Sequence, residues 1–132
     1  MKWSPLDQAP TKLNRNQLFG LRGEKIAKNY LKKRGYKILE ERFRTRFGEI
    51  DLIATRKHTL FFVEVKFRSS LSHGHPLESI TPFKLKSFKK AVLIYLSKNE
   101  KIREEYDVDF LAISIFNKKR KFEIDCVPMG LE

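Results

Sequence analysis

Two carboxylates and a lysine lie inside a stretch that otherwise predicts two apolar strands. In GEIDLIATRKHTLFFVEVKFR, residues 48–68, Asp51, Glu64 and Lys66 interrupt runs of aliphatic and aromatic side chains. Charged side chains rarely enter such strands unless they are paired or bind a ligand. Carboxylate oxygens are the ligands that Mg²⁺ prefers, and a lysine supplies a compact positive charge. The stretch therefore suggests a divalent-cation site with a nearby ammonium group.

A hairpin turn over residues 56–59 would bring these side chains together. In a symmetric hairpin the numbers of paired residues sum to 115, which places Asp51 opposite Glu64 and Glu49 opposite Lys66. Directly paired residues have Cβ atoms about 4.5–5.5 Å apart. Two carboxylates at that separation repel each other unless a cation or a proton lies between them.

A purely structural interpretation of the same residues is also open. Glu49 and Lys66 could form an ordinary cross-strand ion pair, while Asp51 and Glu64 point to water. The interpretation depends on the register, because a slip of one residue would move Asp51 to the other face of the sheet.

The elements that must position these residues follow from hydrophobic spacing. Asn14 or Asn16 can cap a helix that runs to about Arg34 and ends at Gly35. A second helix is predicted from the cap Thr81-Pro82 to about Ser97. Strands are predicted over residues 36–43, 47–55, 60–67, 106–116 and 121–127, with a turn near 101–105. The order α-β-β-β-α-β-β predicts an α/β fold, with a mixed central sheet flanked by helices.

Side-chain periodicity adds two details to this picture. Glu49 and Asp51 are expected on one face of their strand, and Ile50 and Leu52 on the other. Gly20, Gly23 and Ala27 line up on one side of the first helix at three- and four-residue steps. Such small residues allow close approach either to the sheet or to a ligand, and simple helix–sheet packing is the preferred interpretation.

The length of 132 residues favours one domain, predicted over residues 14–132. Residues 1–13 carry two prolines and no periodicity, so they are predicted to form a flexible arm. Cys126 is the single cysteine, which excludes an internal disulfide and fits a reducing compartment. The longest apolar run, AVLIYL, is far too short to span a bilayer. A cytoplasmic protein without membrane association is expected.

The charge distribution favours a polyanionic partner. The formal net charge is +12, and residues 2–46 contain 13 Lys/Arg against 4 Asp/Glu. Such a basic segment could lie along a phosphate backbone, so a nucleic acid is the leading partner. An acidic membrane surface, an acidic protein or a merely solvated face are the alternatives.

The motifs also resemble a known family. Asp51 followed by Glu64-Val65-Lys66 resembles the acid and Glu-x-Lys signature of the restriction-endonuclease-like fold, whose core order is α-β-β-β-α-β. The ordered set over about residues 16–116 resembles the bacterial YraN-like family, which is similar in turn to archaeal Holliday-junction resolvases. That set comprises GLRGEKIAKNYLKKRGYKIL, GEIDLIA, FFVEVKFR, GHPLESITPFK and YDVDFLAI.

The resemblance implies roles for individual residues. Asp51 and Glu64 match metal-binding acids, and Val65 would offer its backbone carbonyl to the same metal, Mg²⁺ or Mn²⁺. Lys66 matches the lysine that orients water and stabilises developing negative charge. Glu24 matches a helix glutamate of the resolvases, and helical spacing places it at the border of the buried helix face. A solvated helix-edge acid is the alternative for Glu24.

One position departs from the family pattern. The family tends to have Asn near the end of the first strand where this chain has Arg42. The expectation is that Arg42 touches none of the implied ligands and contacts phosphate. The other candidate nucleic-acid contacts are Arg44, Arg46, Arg68 and Lys84, although Lys84 could equally belong to a solvated helix face.

These observations and the resemblance together predict a metal-dependent deoxyribonuclease that hydrolyses phosphodiester bonds, with branched or structured DNA as the implied substrate. A homodimer that faces two strands is part of the same expectation. The alternative is a nucleic-acid-binding module without catalysis, which the basic charge alone would support.

Overall fold

The structure is a computed structural model that describes residues 15–68, 80–118 and 121–129. In chain order these residues form the helix α1 (Arg15–Lys33), three strands, the helices α2 (Pro82–Lys98) and α3 (Glu100–Glu105), and two further strands. The strands are β1 (Lys37–Arg44), β2 (Glu49–Arg56), β3 (Thr59–Arg68), β4 (Asp107–Lys118) and β5 (Lys121–Pro128). The predicted α-β-β-β-α-β-β order is confirmed, with α3 as an addition. The proposed arm, residues 1–13, lies outside the described residues, and the extent of the domain stays a prediction.

The five strands form one mixed sheet in the order β1-β2-β3-β4-β5. Only β3 and β4 pair in parallel, across the connection that contains α2 and α3. In the β2–β3 hairpin Thr55 lies opposite Leu60 and Leu52 lies opposite Val63, so the predicted register is confirmed there. This mixed sheet with flanking helices confirms the predicted fold class and is compatible with a restriction-endonuclease-like fold.

Apolar side chains cover both faces of the sheet. On one face α1 packs Ala27 and Leu31 against a cluster from β2, β3 and β4; its other fully or nearly buried members are Leu52, Phe61, Val63, Leu111, Ile113 and Ile115. On the other face α2 packs Phe88, Ala91, Val92 and Tyr95 against Ile50, Ile53, Leu60 and Phe62. Burial of these two apolar layers fixes the sheet between the helices.

Local signals in the sequence explain where α1 ends and where α2 begins. Gly35 follows α1 with φ +87, a conformation that glycine adopts without steric cost, and Tyr36 N–H donates to Leu31 O at 3.1 Å. Thr81 caps α2, because its hydroxyl accepts a hydrogen bond from Lys84 N–H at 3.2 Å. The end of α1 and the start of α2 are those that the sequence predicts.

The turn predicted near residues 101–105 is wrong, because this segment forms α3. Arg103 N–H donates to Asn99 O at 3.1 Å, and Tyr106 N–H donates to Ile102 O at 3.0 Å. Ile102 packs against the α2-side cluster. The segment EKIREE is rich in good helix formers, and Ile102 anchors this short helix to the core.

Gly23 explains how closely α1 approaches the sheet. A Cβ atom built on Gly23 would lie 2.8 Å from Phe67 Cβ, which is shorter than real side-chain contacts allow. The helix–sheet packing interpretation of this glycine is therefore confirmed. Among the helices of the described ranges, none combines the length and the apolar character that crossing a membrane requires.

Candidate active site

Asp51 lies where β2 and β3 stop pairing. The two strands pair regularly from Arg56 and Thr59 as far as Leu52 and Val63. Beyond that point the Asp51 carboxylate accepts a hydrogen bond from Val65 N–H at 2.7 Å. The side chain thus takes a backbone donor of β3 and is held against that strand.

The surroundings of Asp51 disfavour its charged form. Burial raises its pKa well above the ordinary value, and the negative charge of Glu64 raises it further. The Val65 hydrogen bond opposes this effect, whereas the charges of Glu24 and Glu49 add to it. A bound cation would relieve the same repulsion, because it stabilises the ionised carboxylates.

The strand faces around Asp51 differ from simple alternation. Ile50 packs with the α2-side cluster and Leu52 with the α1-side cluster, so the expectation that both share the face opposite Glu49 and Asp51 is wrong. The β1–β2 register places Arg42 across from Asp51, and Arg42 has φ +53. A residue in this left-handed conformation locally interrupts the pleat of β1 beside Asp51.

Three carboxylates converge at this interruption. Oxygen atoms of Glu24, Glu49 and Asp51 all lie within 4.8 Å of one another, which makes them a group that could hold a metal ion. Glu24 and Asp51 were among the predicted site residues, whereas Glu49 was not a predicted ligand. The available signal for Glu49 was its two-residue spacing from Asp51. Glu64 lies outside this group, although it is near enough to raise the pKa of Asp51.

Lys66 pairs with Glu64 on its own strand. Its Nζ lies 3.1 Å from Glu64 Oε1, and the two side chains are only 16% and 20% exposed. The alternative Glu49–Lys66 pair is wrong, because Glu49 binds Arg44 Nε at 3.1 Å instead. The physical reason is that β2 and β3 no longer pair beyond Leu52, while the β1–β2 register sets Arg44 opposite Glu49.

Arg42 contacts a predicted site residue directly. Its Nε donates to Glu24 Oε2 at 2.6 Å, and Glu24 is a predicted catalytic residue but not one of the ligands that the resemblance implies. Burial raises the pKa of Glu24, and the hydrogen bond and charge of Arg42 oppose that rise. The positive φ of Arg42 also accounts for the Asn expected there from the family pattern, because Asn tolerates the left-handed region better than Arg.

The other basic residues predicted to contact nucleic acid lie around the same end of the sheet. Arg44 is exposed and holds Glu49, and the Arg46 guanidinium lies 4.8 Å from the centre of the Phe47 ring. Lys84 is exposed in the first turn of α2. Arg68 ends β3, and its side chain lies outside the described part of the chain. Their roles stay predictions, as does the role of the Val65 carbonyl.

Comparison with known proteins assigns the family. A model of "Uncharacterised protein family UPF0102" matches residues 23–127. A "UPF0102 protein" of Syntrophomonas wolfei is 42% identical over 106 residues, which cover 80% of this chain and 92% of the relative. A "UPF0102 protein" of Geobacter metallireducens is 38% identical over 117 residues, which cover 89% and 94% of the two chains. The family prediction made from the motifs is confirmed, and the chain belongs to the UPF0102 (YraN) family.

Proposed function

We propose that this protein is a metal-dependent endonuclease of the restriction-endonuclease-like superfamily that acts on DNA in the cytoplasm. The observation that carries the proposal is the environment of Asp51, which is fixed against β3 and surrounded by the charges of Glu24, Glu49 and Glu64. An arrangement that concentrates carboxylates around a half-buried acid is unfavourable for folding alone. It is advantageous when the carboxylates bind a cation.

The donor set suits a hard divalent cation. Glu24, Glu49 and Asp51 supply only oxygen ligands, which Mg²⁺ and Mn²⁺ prefer, and the three lie close enough together to share one ion. When bound, such an ion polarises a phosphodiester group and lowers the pKa of coordinated water. The family resemblance adds Glu64 and the Val65 carbonyl as ligands.

Lys66 provides positive charge beside the carboxylates. Glu64 holds its ammonium group at 3.1 Å, and both side chains are mostly buried. A fixed ammonium group lowers the free energy of a transition state in which negative charge grows on phosphate oxygens, because it does not have to reorganise during the reaction. The resemblance implies in-line attack by water and a homodimer that presents two such sites.

The basic surface supports DNA as the substrate. The net charge of +12 is concentrated in residues 2–46, a segment that includes Arg42, Arg44 and Arg46. Neutralisation of phosphates by such side chains releases counterions and supplies most of the sequence-independent affinity for DNA.

A calorimetric Mn²⁺ titration, combined with cleavage of a labelled four-way DNA junction, tests the proposal. We expect Asp51→Asn to abolish both Mn²⁺ binding and cleavage. Lys66→Ala should retain the ion and lose turnover, because its charge acts mainly in the transition state. DNA affinity in chelator should survive both changes, since neither alters the basic surface. If Asp51→Asn binds Mn²⁺ like the wild type and melts much earlier, Asp51 is a structural residue and the proposal fails.

A nucleic-acid-binding module without catalysis is the second candidate, favoured by the excess of basic residues. It predicts that chelator changes neither the binding nor the integrity of DNA. A nuclease predicts DNA cleavage that stops when EDTA is added.

A further inference from the structure

The turn between β1 and β2 presents an aromatic ring between cationic groups. Phe47 is 40% exposed; the Arg46 guanidinium carbon lies 4.8 Å and Lys90 Nζ lies 5.0 Å from the centre of its ring. The Thr45 hydroxyl fixes the turn, because it donates to Gly48 O at 2.8 Å and accepts from the N–H groups of Phe47 and Gly48 at 3.1 Å. Phe47 is therefore displayed by a rigid turn and not by a loose loop.

A second exposed ring lies on the adjacent helix. A Cβ atom built on Gly48 would lie 3.3 Å from Ser87 of α2, so the turn packs directly against this helix. Phe83 precedes Ser87 by one helical turn and is 78% exposed. Phe83, Ser87 and Lys90 follow the i, i+4, i+7 spacing of a single helix face. The turn meets the helix at Ser87, with Phe83 one helical turn before this contact and Lys90, which lies beside the Phe47 ring, about one turn after it.

We call this surface the aromatic–cationic patch; it consists of Phe47 and Phe83 with Arg46, Lys90 and Lys86. Lys86 is exposed on α2, three residues after Phe83 and four before Lys90. It adjoins the candidate active site, because Glu49 of the carboxylate group directly follows Gly48. Arg44, on the preceding strand, holds Glu49 at 3.1 Å. A ligand that extends from the carboxylates along the turn would meet the patch next.

The chemistry of the patch points to one class of ligand. Exposed rings surrounded by positive charge suit a partner that alternates flat apolar surfaces with negative groups. An unpaired stretch of nucleic acid has this character, because its bases stack on aromatic side chains while its phosphates approach lysine and arginine. A continuous duplex keeps its bases stacked inside the helix and offers the rings nothing comparable.

We propose that the aromatic–cationic patch stacks an unpaired base, so that the preferred substrate carries a single-stranded segment beside its duplex, such as a tail, a flap or an open junction. This inference rests on the proposed DNA-directed function and narrows its substrate class. Phe83 provides the more accessible ring, and Phe47 provides a ring whose position the turn fixes. Lys86 and Lys90 contact the phosphates of the same strand.

The test compares two DNA probes in chelator: a hairpin with a single-stranded thymidine tail and a blunt duplex with the same number of phosphates. We expect the wild type to prefer the tailed probe. Phe83→Ala should weaken binding of the tailed probe about tenfold and of the blunt probe less than about twofold. The salt dependence for both probes should stay unchanged, because no charge is removed. Phe83→Trp should restore or strengthen the preference for the tail.

Phe122→Ala is the matched control, because Phe122 is another exposed phenylalanine, 51% accessible, on the edge strand β5. It should leave both affinities at the wild-type value. Equal affinity of the wild type for the two probes would overturn the inference, and so would equal losses in Phe83→Ala and Phe122→Ala. Since the measurement needs no metal and no turnover, its result is independent of the Mn²⁺ and cleavage experiments that test the proposed nuclease function.

Discussion

Arg42→Asn perturbs the candidate site at its most direct internal contact. In the wild type the Arg42 guanidinium supplies a positive charge to Glu24 at 2.6 Å, within a group of three carboxylates. A divalent cation that binds this group must share Glu24 with the arginine or displace it. Asn is the natural replacement, because it tolerates the φ of +53 at this position and carries no charge.

The magnitude follows from electrostatics. A cation bound at about 2.1 Å from the Glu24 carboxylate would lie within about 5 Å of the guanidinium. Repulsion between charges of +2 and +1 at this distance is about 1.7 kcal/mol even in water, which is more than tenfold in affinity. We therefore expect Arg42→Asn to bind Mn²⁺ at least about tenfold more tightly than the wild type.

Without metal, two effects oppose each other in the same variant. In the wild type the charge-assisted hydrogen bond from Arg42 to Glu24 stabilises the fold by about 1.5–3 kcal/mol, towards the lower value because both side chains are partly exposed. The variant loses this contribution. Relief of the left-handed backbone at Arg42 returns about 1 kcal/mol. We expect the metal-free variant to melt only about 2–4 °C below the wild type.

Calorimetric Mn²⁺ titration and thermal melting in chelator measure the two quantities. Arg56→Asn is the matched control, because it removes the same charge at the opposite end of the hairpin, where Arg56 lies over the Tyr36 ring. It should leave Mn²⁺ affinity unchanged. If both variants change the affinity by the same factor, the effect is one of net charge, and the reasoning about the Arg42–Glu24 contact is refuted.

Three further predictions address stability and binding. Because the pKa of Asp51 is raised in the folded state, ionising Asp51 lowers the free energy of unfolding. This loss of stability is absent below the unfolded-state pKa near about 4 and complete above the folded-state pKa. Metal-free Asp51→Asn should therefore melt above the wild type at about pH 8 and at the same temperature near about pH 3; a gain that is independent of pH would contradict this assignment. Gly23→Ala should destabilise the fold by about 1–2 kcal/mol in urea unfolding, because the new methyl group meets Phe67 and outweighs the better helix propensity of Ala; unchanged stability would mean that α1 shifts freely. If the protein covers about 6 phosphates, log K for duplex DNA should fall with a slope near −5 against log salt, and Arg44→Gln with Arg46→Gln should flatten that slope by about 2; an unaltered slope would place the DNA-binding surface elsewhere.

The regular part of the hairpin was predictable because local rules determine it. The turn residues Lys57 and His58 both have positive φ, with values of 48 and 64, as in the two-residue turns that fit twisted hairpins. Neither residue is the Gly or Asn usual at such positions, so the turn type was not evident. The register nevertheless followed, because a two-residue turn at Lys57 and His58 pairs residues whose numbers sum to 115, as Thr55–Leu60 and Leu52–Val63 do.

The site itself required information that is not local. Glu49 joins Glu24 because α1 packs close to the sheet at Gly23, the residue directly before Glu24. The Arg42–Glu24 contact depends on the same packing and on an unusual backbone angle in β1. The alternation of side chains along a strand predicts neither contact, because it assumes a regular pleat and one partner strand.

Regular pairing of β2 with β3 stops beside Asp51, and negative charge is concentrated there. A regular β2–β3 ladder would satisfy Val65 N–H with a backbone carbonyl and would leave no place for a carboxylate at that position. The fold instead gives this donor to Asp51 and accepts the unfavourable burial and repulsion that raise its pKa. The proposed cation would offset this loss of stability, because it relieves the repulsion between the carboxylates. The internal cations Arg42 and Lys66 offset part of the repulsion at Glu24 and Glu64, and Asp51 is left as the carboxylate that gains most from an external cation.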